Sequence, residues 1–262
     1  RVHAATVNPT DVLLRTGGHA VRMPGRRPPF VPGMDSAGVI DQLGPGTEDR
    51  FTVGQPVIAM VLFTSPHGGA YAEQVVVPAA SVVPAPEGVD PFAASTLLMN
   101  ATTARIALDE MALPPGSTVA VTGAAGAVGG YAVQLAKADG LTVIADASPR
   151  DVELVRGLGA DHVVERGSGV ADRIRALAPA GVPGLVDGSM QTVDVVSAVA
   201  DGGTLIEVRG WTGPADRGIR VCPVMTGDHT TDTDRFDALR RQVEDGTLTL
   251  RVAEVLPADQ AA

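Results

Sequence analysis

The chain contains one cysteine, Cys222, among its 262 residues, and aromatic side chains make up only 3% of it. A single cysteine excludes a disulfide within the chain and excludes zinc sites built from several cysteines. Long apolar runs are also absent, and no segment resembles a secretory signal. We therefore expect a cytoplasmic protein that does not span a membrane.

Basic residues are scarce as well: 20 Lys and Arg stand against 30 Asp and Glu, for a net charge of −10. Such a surface lacks the basic footprint that nucleic acids and anionic membranes require, so neither is expected as a partner. Hydrophobic residues make up 45% of the chain, enough for a sizeable core. The chain begins in a strand-like stretch at Arg1 and stops at a helix-like start near Pro257, so we expect further residues beyond both ends.

Residues 1–92 are rich in glycine and proline, which separate short apolar runs from one another. Short strands between dense turns are typical of a mostly β domain. The apolar runs are Ala37–Ile40, Pro56–Leu62, Ala72–Val77 and Ser81–Val83.

Beyond residue 92 the pattern changes to alternating strands and helices, which predicts a parallel sheet covered on both faces. An Ala-rich helical stretch over Phe92–Met111 comes first. The predicted strands are Thr118–Thr122, Thr142–Ala145, His162–Val164, Leu185–Val186 and Thr204–Val208. The predicted helices start at Val128 and Ser148 and cover Val170–Ala178 and Thr192–Ala200.

A glycine turn, Gly123–Gly129, lies between the first of these strands and the helix that follows it. This is the context of a dinucleotide-binding fingerprint, in which one glycine admits the pyrophosphate and another lets the helix pack on the strand. Gly126 and Gly129 match those two positions. We predict that the turn binds a nicotinamide dinucleotide through Ala125, Gly126, Ala127, Val128 and Gly129.

The choice between NAD and NADP depends on the end of the second strand. Asp146 lies where an acidic residue would bind the ribose of NAD. Ser148 and Arg150 follow at once, and these side chains suit the 2′-phosphate of NADP. Ser148 is equally suited to cap a helix, and Arg150 to remain in solvent. We favour NADPH over NADH.

Short motifs in a fixed order resemble one known family along nearly the whole chain. They are Val7–Asp11, Pro32–Val39, Gly69–Glu73, Met99–Ala104, the glycine turn and Leu158–Asp161. The chain is similar to the zinc-independent quinone oxidoreductase (zeta-crystallin-like) branch of the medium-chain dehydrogenase/reductase superfamily.

The resemblance implies an α/β protein with a Rossmann doubly wound parallel sheet plus a GroES-like, mostly β domain. The expected boundaries are 1–92 with a return segment 247–262 for the GroES-like catalytic domain, and 93–246 for the dinucleotide-binding domain. Zinc-dependent relatives hold their metal at positions matched here by Asn8, Met34 and the Met99–Asn100 region. An amide and a thioether are poor zinc ligands, so no metal site is expected.

Without a Lewis acid, the feasible acceptors are already electrophilic: a quinone or an α,β-unsaturated carbonyl. By the resemblance, the catalytic candidates are Asn8, His19, Tyr71 and Asn100. His19 stands where many relatives carry a tyrosine, Tyr71 is equally suited to packing, and Asn8 and Asn100 to structural roles. Further candidates for the cofactor site are Asn8, Thr103, Arg166, Val208 and Gly210.

Two other functions remain open at the level of sequence. One is a tailoring reductase acting on an enoyl thioester or polyketide intermediate. The other is a nucleotide-binding redox sensor, or a crystallin-like protein, with little catalysis. By analogy with the family, we expect a homodimer.

Overall fold

A computed structural model describes residues 1–19, 23–25, 27–213 and 216–260 of the chain. The chain divides into two units, Arg1–Met99 with Gly227–Ala262, and Asn100–Thr226. These boundaries differ from those expected at 92/93 and 246/247. Among the described residues, no helix is long and apolar enough to cross a membrane.

The described part of the chain contains ten strands and seven α-helices. The strands are β1 (Val2–Ala5), β2 (Asp35–Val39), β3 (Pro56–Met60), β4 (Val82–Pro84), β5 (Thr118–Thr122), β6 (Thr142–Ala147), β7 (His162–Glu165), β8 (Val182–Asp187), β9 (Val199–Glu207) and β10 (Arg220–Pro223). The helices are α1 (Pro9–Arg15), α2 (Pro91–Ala94), α3 (Leu98–Met111), α4 (Ala127–Ala138), α5 (Val152–Gly157), α6 (Val170–Leu177) and α7 (Thr233–Glu244).

The first unit is built on an antiparallel sheet in the order β1-β2-β3-β4. Its core is a cluster of buried apolar side chains: Phe51, Val57, Ala59, Val61, Ala70 and Val82. The helix α7 packs on β4, and the Thr233 hydroxyl donates to the Ala80 carbonyl at 2.8 Å. Because Phe236 of this helix is fully buried, α7 belongs to the first unit and the return segment begins earlier than expected.

One apolar run of the first unit does not form the strand that its pattern indicates. Ala72–Val77 lies within the described part of the chain and is irregular there. Its Glu73 carbonyl accepts one backbone bond, from Val2 at 2.9 Å. A single such bond does not make a ladder, so local β propensity is not sufficient at this place.

The second unit is built on a parallel sheet in the order β10-β9-β8-β5-β6-β7. The chain runs outward from β5 in one direction through β6 and β7, and in the other through β8, β9 and β10. This confirms the predicted doubly wound sheet and puts its topological switch point between β5 and β8. Residues Val119, Ala120 and Val121 of β5 are buried, as expected for a central strand with both faces covered.

Two predicted helices take a different form. The Ala-rich stretch is broken into α2 and α3, and Thr192–Ala198 is a 3-10 helix in place of an α-helix. Thr192 has a φ of +51°, and its N–H donates to the Asp187 carboxylate at 2.7 Å. Four of the next six residues are β-branched or serine, which also disfavours an α-helix. Strand β9 begins at Val199, earlier than predicted, and the edge strand β10 was not predicted.

The turn between β5 and α4 requires two glycines for different reasons. Gly123 has a φ of +68°, and a Cβ there would lie 2.7 Å from the Gly188 carbonyl carbon. A Cβ on Gly129 would lie 2.3 Å from the Gly123 carbonyl oxygen. The start of α4 is therefore in direct backbone contact with the turn.

We expect Gly129→Ala to lower the free energy of unfolding by about 2 kcal/mol, because backbone atoms on both sides would have to move. Gly126→Ala is the matched control, since its Cβ would meet only the Gly123 oxygen at 3.0 Å and its φ of −75° suits alanine. Urea unfolding of both variants measures the difference. Equal stabilities would contradict the close contact.

The first unit has a buried polar centre at Asp35, which is 1% exposed. Its carboxylate accepts hydrogen bonds from the Met99 N–H at 2.7 Å, the Asn8 side-chain amide at 3.0 Å and the Thr6 hydroxyl at 3.0 Å. Asp35 thereby connects β2 to the loop before α1 and to the first turn of α3. Burial raises the pKa of Asp35 to about 6, and these three bonds oppose the rise.

A raised carboxyl pKa adds stability below the unfolded pKa of 3.8, and this stability is lost as the pH rises through about 6. Asp35→Asn removes the titration. We therefore expect the free energy of unfolding of the variant, relative to the wild type, to increase by about 2 kcal/mol between pH 4 and pH 7. Urea titrations across this range measure it, and a difference independent of pH would show that Asp35 does not titrate in this window.

Candidate cofactor and active site

The glycine turn leaves one open face at the carboxyl end of β5. Gly126 is the N-cap residue of α4 and is exposed, and within 4 Å a Cβ there would meet only the Gly123 oxygen. Ala127 and Val128 form the first turn of α4, where N–H groups have no partner within the helix. Such a helix start, without a side chain over it, suits a phosphate group. The turn therefore fits the pyrophosphate of a dinucleotide.

Asp146 holds the glycine turn from the neighbouring strand β6. Its Oδ1 accepts the N–H groups of Gly123 at 2.7 Å and Ala124 at 3.2 Å. Its Oδ2 is buried and has no hydrogen-bond partner among the residues that the structure describes. Burial raises the pKa of Asp146, and the two backbone bonds oppose the rise. The Oδ1 atom of Asp146 thus holds the glycine turn in its conformation.

Ser148, Arg150 and Arg166 lie together at the carboxyl ends of β6 and β7. The Ser148 hydroxyl donates to the Asp151 side chain at 2.5 Å and does not cap a backbone N–H. The Arg166 N–H donates to Ala147, and the side chain of Arg150 is 87% exposed beside Asp151. The Ser148 hydroxyl, followed by the charges of Arg150 and Arg166, keeps the pKa of Asp151 below its usual value. Two cations and a hydroxyl therefore share this corner of the second unit.

The other cofactor candidates of the second unit lie on α3 and after β9. Thr103 is buried, and its hydroxyl bonds with that of Thr226 at 2.7 Å. Asn100, on the same helix, is 9% exposed. Val208 and Gly210 follow β9, where Gly210 donates its N–H to the Glu207 carboxylate at 2.5 Å.

Glu207 itself was not predicted as a site residue. Its Oε2 also accepts the N–H groups of Arg209 at 2.7 Å and Trp211 at 2.8 Å. It ends a strand whose preceding residues, Leu205 and Ile206, are fully buried. An acidic residue closing an apolar strand was the signal available in the sequence.

Three catalytic candidates of the first unit surround Asp11. The Asp11 carboxylate accepts the Asn8 N–H at 2.8 Å and the Gly33 N–H at 2.7 Å. Burial raises the pKa of Asp11 despite the two backbone bonds. His19 also opposes this rise in the pKa of Asp11, and the charge of Asp11 adds to the rise that burial causes in the pKa of Tyr71. Asp11 is thus the structural centre of this group.

The side chains near Asp11 differ in their hydrogen bonds and in their surroundings. Asn8 uses its amide N–H groups on Asp35 and on the Thr6 hydroxyl, at 3.0 and 3.3 Å. Burial, with the nearby Asp11 charge, raises the pKa of Tyr71, whose hydroxyl is 3.4 Å from the Thr6 carbonyl. The ring of His19 stacks on Phe63 at 5.1 Å and is 9% exposed. Tyr71 therefore stays protonated, and its one O–H donates to the Thr6 carbonyl.

The predicted site residues are divided between the units. Asn8, His19 and Tyr71 belong to the first unit, and Asn100 with the remaining cofactor candidates belongs to the second. Among the described residues, no group of three His, Cys, Asp or Glu is arranged to hold a metal ion. Met34, at a position of the zinc ligands in related enzymes, is buried at 6% exposure.

Comparison with known proteins matches two families along the chain. Residues 1–87 match the alcohol dehydrogenase GroES-like domain, and residues 127–231 match a family described as zinc-binding dehydrogenase. A quinone-oxidoreductase homologue of Spinacia oleracea is 36% identical over 171 residues, 63% of this chain and 51% of that protein. A trans-enoyl reductase of Aspergillus terreus is 35% identical over 179 residues, 63% of this chain and 58% of that protein. The chain thus spans about half the length of such relatives.

Two solved structures superpose on most of this chain. A mycobacterial protein, Rv1454c, complexed with NADPH, superposes with a TM-score of 0.84 at 26% identity, covering 99% of this chain and 84% of that one. A probable oxidoreductase of Mycobacterium abscessus superposes with a TM-score of 0.76 at 32% identity, over 93% of this chain and 76% of that one. With a GroES-like unit, a doubly wound unit and relatives named quinone oxidoreductase, the chain belongs to the medium-chain dehydrogenase/reductase superfamily.

Proposed function

We propose that the protein is an NADPH-dependent oxidoreductase that reduces a quinone or an α,β-unsaturated carbonyl without zinc. The observation that carries the proposal is the open glycine turn at Gly126, with Arg150 and Arg166 at the ends of the two neighbouring strands. When bound, NADPH supplies the hydride for the reduction. The complex of a mycobacterial neighbour with NADPH supports this choice of cofactor.

The second unit binds and orients the cofactor in this proposal. The first-turn N–H groups of α4, at Ala127 and Val128, receive the pyrophosphate. The guanidinium groups of Arg150 and Arg166 would receive the 2′-phosphate, since planar guanidinium pairs well with phosphate. The Ser148 hydroxyl, which donates to Asp151 at 2.5 Å, would join them by turning away from that carboxylate. Asp146 positions the turn through its Oδ1.

Groups of the first unit would orient the substrate in this proposal. The Tyr71 hydroxyl, kept protonated by burial, donates to the Thr6 carbonyl at 3.4 Å, and turned away from this long bond it would donate to the enolate or quinol oxygen. Asn8 has its amide N–H groups engaged by Asp35 and Thr6, so we assign it to orientation. His19 and Asn100 remain candidates for proton transfer and for polar contact with the substrate. A homodimer and a cytoplasmic location remain predictions.

An enoyl thioester is the second candidate substrate. The similarity to a trans-enoyl reductase favours it, and its conjugated carbonyl requires the same chemistry. A sensor or crystallin-like protein would bind the cofactor without turning over any of these acceptors.

We expect NADPH to bind about tenfold or more tightly than NADH. Arg150→Ala should weaken NADPH about tenfold and leave NADH unchanged, because only NADPH carries the 2′-phosphate. Calorimetric titration measures both constants.

Arg156→Ala is the matched control, since this exposed arginine of α5 pairs with Glu153.

Gly126→Val should abolish binding of both cofactors, because its side chain would fill the open face of the turn. Equal or reversed affinities in the wild type would assign Asp146 to the ribose of NADH and refute the NADPH proposal.

Activity should appear with a panel of quinones and enones, and it should survive prolonged treatment with a chelator. Consumption of NADPH, followed by its absorbance, measures both. An activity that is lost on chelation and restored by zinc would contradict the metal-free proposal. Tight NADPH binding without turnover of any acceptor would favour a sensor.

A further inference from the structure

Four polar side chains form a row across the carboxyl edge of the parallel sheet. In the strand registers Thr122 of β5 pairs with Asp187 of β8, and Asp187 pairs with Glu207 of β9. On the other side, Val121 pairs with Ala145, so that Asp146 of β6 comes next to Thr122. All four side chains are at most 3% exposed.

Two carboxylates in this row bind the loop after their own strand, whereas Asp146 binds the glycine turn. Asp187 accepts the Thr122 hydroxyl at 2.7 Å, the Thr192 N–H at 2.7 Å and the Ser189 N–H at 3.2 Å. Both of its oxygens are thus engaged. The hydrogen bonds of the fold therefore account for a buried carboxylate at position 187.

Glu207 is not explained in the same way. Its Oε2 accepts three consecutive N–H groups, those of residues 209–211, at 2.5 to 2.8 Å. Its Oε1 is buried and has no hydrogen-bond partner in the described part of the chain. A buried carboxylate oxygen without a partner costs stability, and the loop bonds use only the other oxygen. Such an exception to core packing points to a role beyond folding.

The topology indicates which end of the cofactor this carboxylate serves. In a doubly wound sheet the dinucleotide lies across the carboxyl edge, over the switch point between β5 and β8. Ser148, Arg150 and Arg166, at the ends of β6 and β7, belong to the adenosine half. The nicotinamide half therefore lies on the side of β8 and β9, where Glu207 is located.

The two redox forms of the nicotinamide ring differ in charge. The oxidised ring is a cation, and the reduced ring is neutral. A fixed negative charge in a site that excludes water stabilises the cation far more than the neutral form. The electron pair and the proton that leave together as hydride thus leave behind a ring that the protein stabilises.

We propose that Glu207 is a positioning and tuning residue, whose buried carboxylate at the nicotinamide end favours the oxidised cofactor and makes the bound reduced cofactor a stronger hydride donor. The proposal rests on the proposed function, because it requires a nicotinamide cofactor on this sheet edge. The Glu207 carboxylate also holds the loop 209–211 in place.

The test measures dissociation constants for NADP⁺, NADPH and 2′,5′-ADP with Glu207→Gln. Glutamine keeps the size and one oxygen acceptor for the loop but carries no charge. We expect the affinity for NADP⁺ to fall about tenfold relative to that for NADPH. The affinity for 2′,5′-ADP, which reports only the adenosine half, should change less than about twofold.

Two further variants separate charge from structure. Glu207→Met removes the loop bonds as well, and it should shift the NADP⁺ to NADPH ratio in the same direction; it also decides the question if the glutamine variant does not fold. Glu165→Gln, which removes an exposed charge at the end of β7, is the matched control and should leave the ratio unchanged. A merely structural role would weaken both redox forms equally.

An unchanged ratio in both Glu207 variants would overturn the proposal. A failure of the underlying function looks different, because the wild type itself would then bind neither NADPH nor 2′,5′-ADP. If the wild type binds NADH in place of NADPH, the same measurement with NAD⁺, NADH and ADP applies, and the same ratio decides.

Discussion

The second unit depends on one close approach, that of Gly129 to the carbonyl oxygen of Gly123. A Cβ at position 129 would overlap that oxygen, so helix α4 reaches the end of β5 only because no side chain is present. The same approach brings the first-turn N–H groups of α4 to the carboxyl edge of the sheet, where the strand order changes direction. Helix packing and an open helix start that suits a phosphate are therefore two results of one contact. That helix start is backbone, and it forms when the sheet and helix fold.

The first unit shows the opposite solution, in which side chains organise the backbone. Asp11 and Asp35 are both buried, and between them they receive hydrogen bonds from the loop before α1, the loop before β2 and the start of α3. The sheet has four strands among the described residues, and these carboxylates contribute connections that its ladder does not. The cost is a raised pKa at each group, which ties the stability of this unit to pH.

Periodicity and turn chemistry were sufficient to predict the order of strands and helices in the second unit. Five of its six strands and the glycine turn were recognised, because a fully buried parallel strand is a short β-branched run. The edge strand β10 was missed, since Arg220 and Pro223 break its apolar pattern. Helix α7 was given to the wrong unit, because the surface on which its Phe236 packs is a property of tertiary structure.

The site was harder to predict for a related reason. Candidates such as Ser148, Arg150 and Arg166 could be found from their place after a strand. The direction in which a side chain points could not be predicted, because it depends on strand register and on partners that are distant in sequence. Asp146 is committed by one oxygen to the glycine turn, and Asn8 by its amide to Asp35. In the sequence, Glu207 is distinguished only as one acidic residue at the end of an apolar strand.

The row of carboxylates at the sheet edge also bears on how this protein can diverge. Asp187 and Glu207 hold the loops after β8 and β9 through main-chain N–H groups, which every residue except proline possesses. The side chains at positions 209 and 211 can therefore be exchanged without loss of the anchor, whereas position 210 requires glycine because its φ is +100°. Selection can therefore change these two side chains one at a time while the backbone of the loop stays in place.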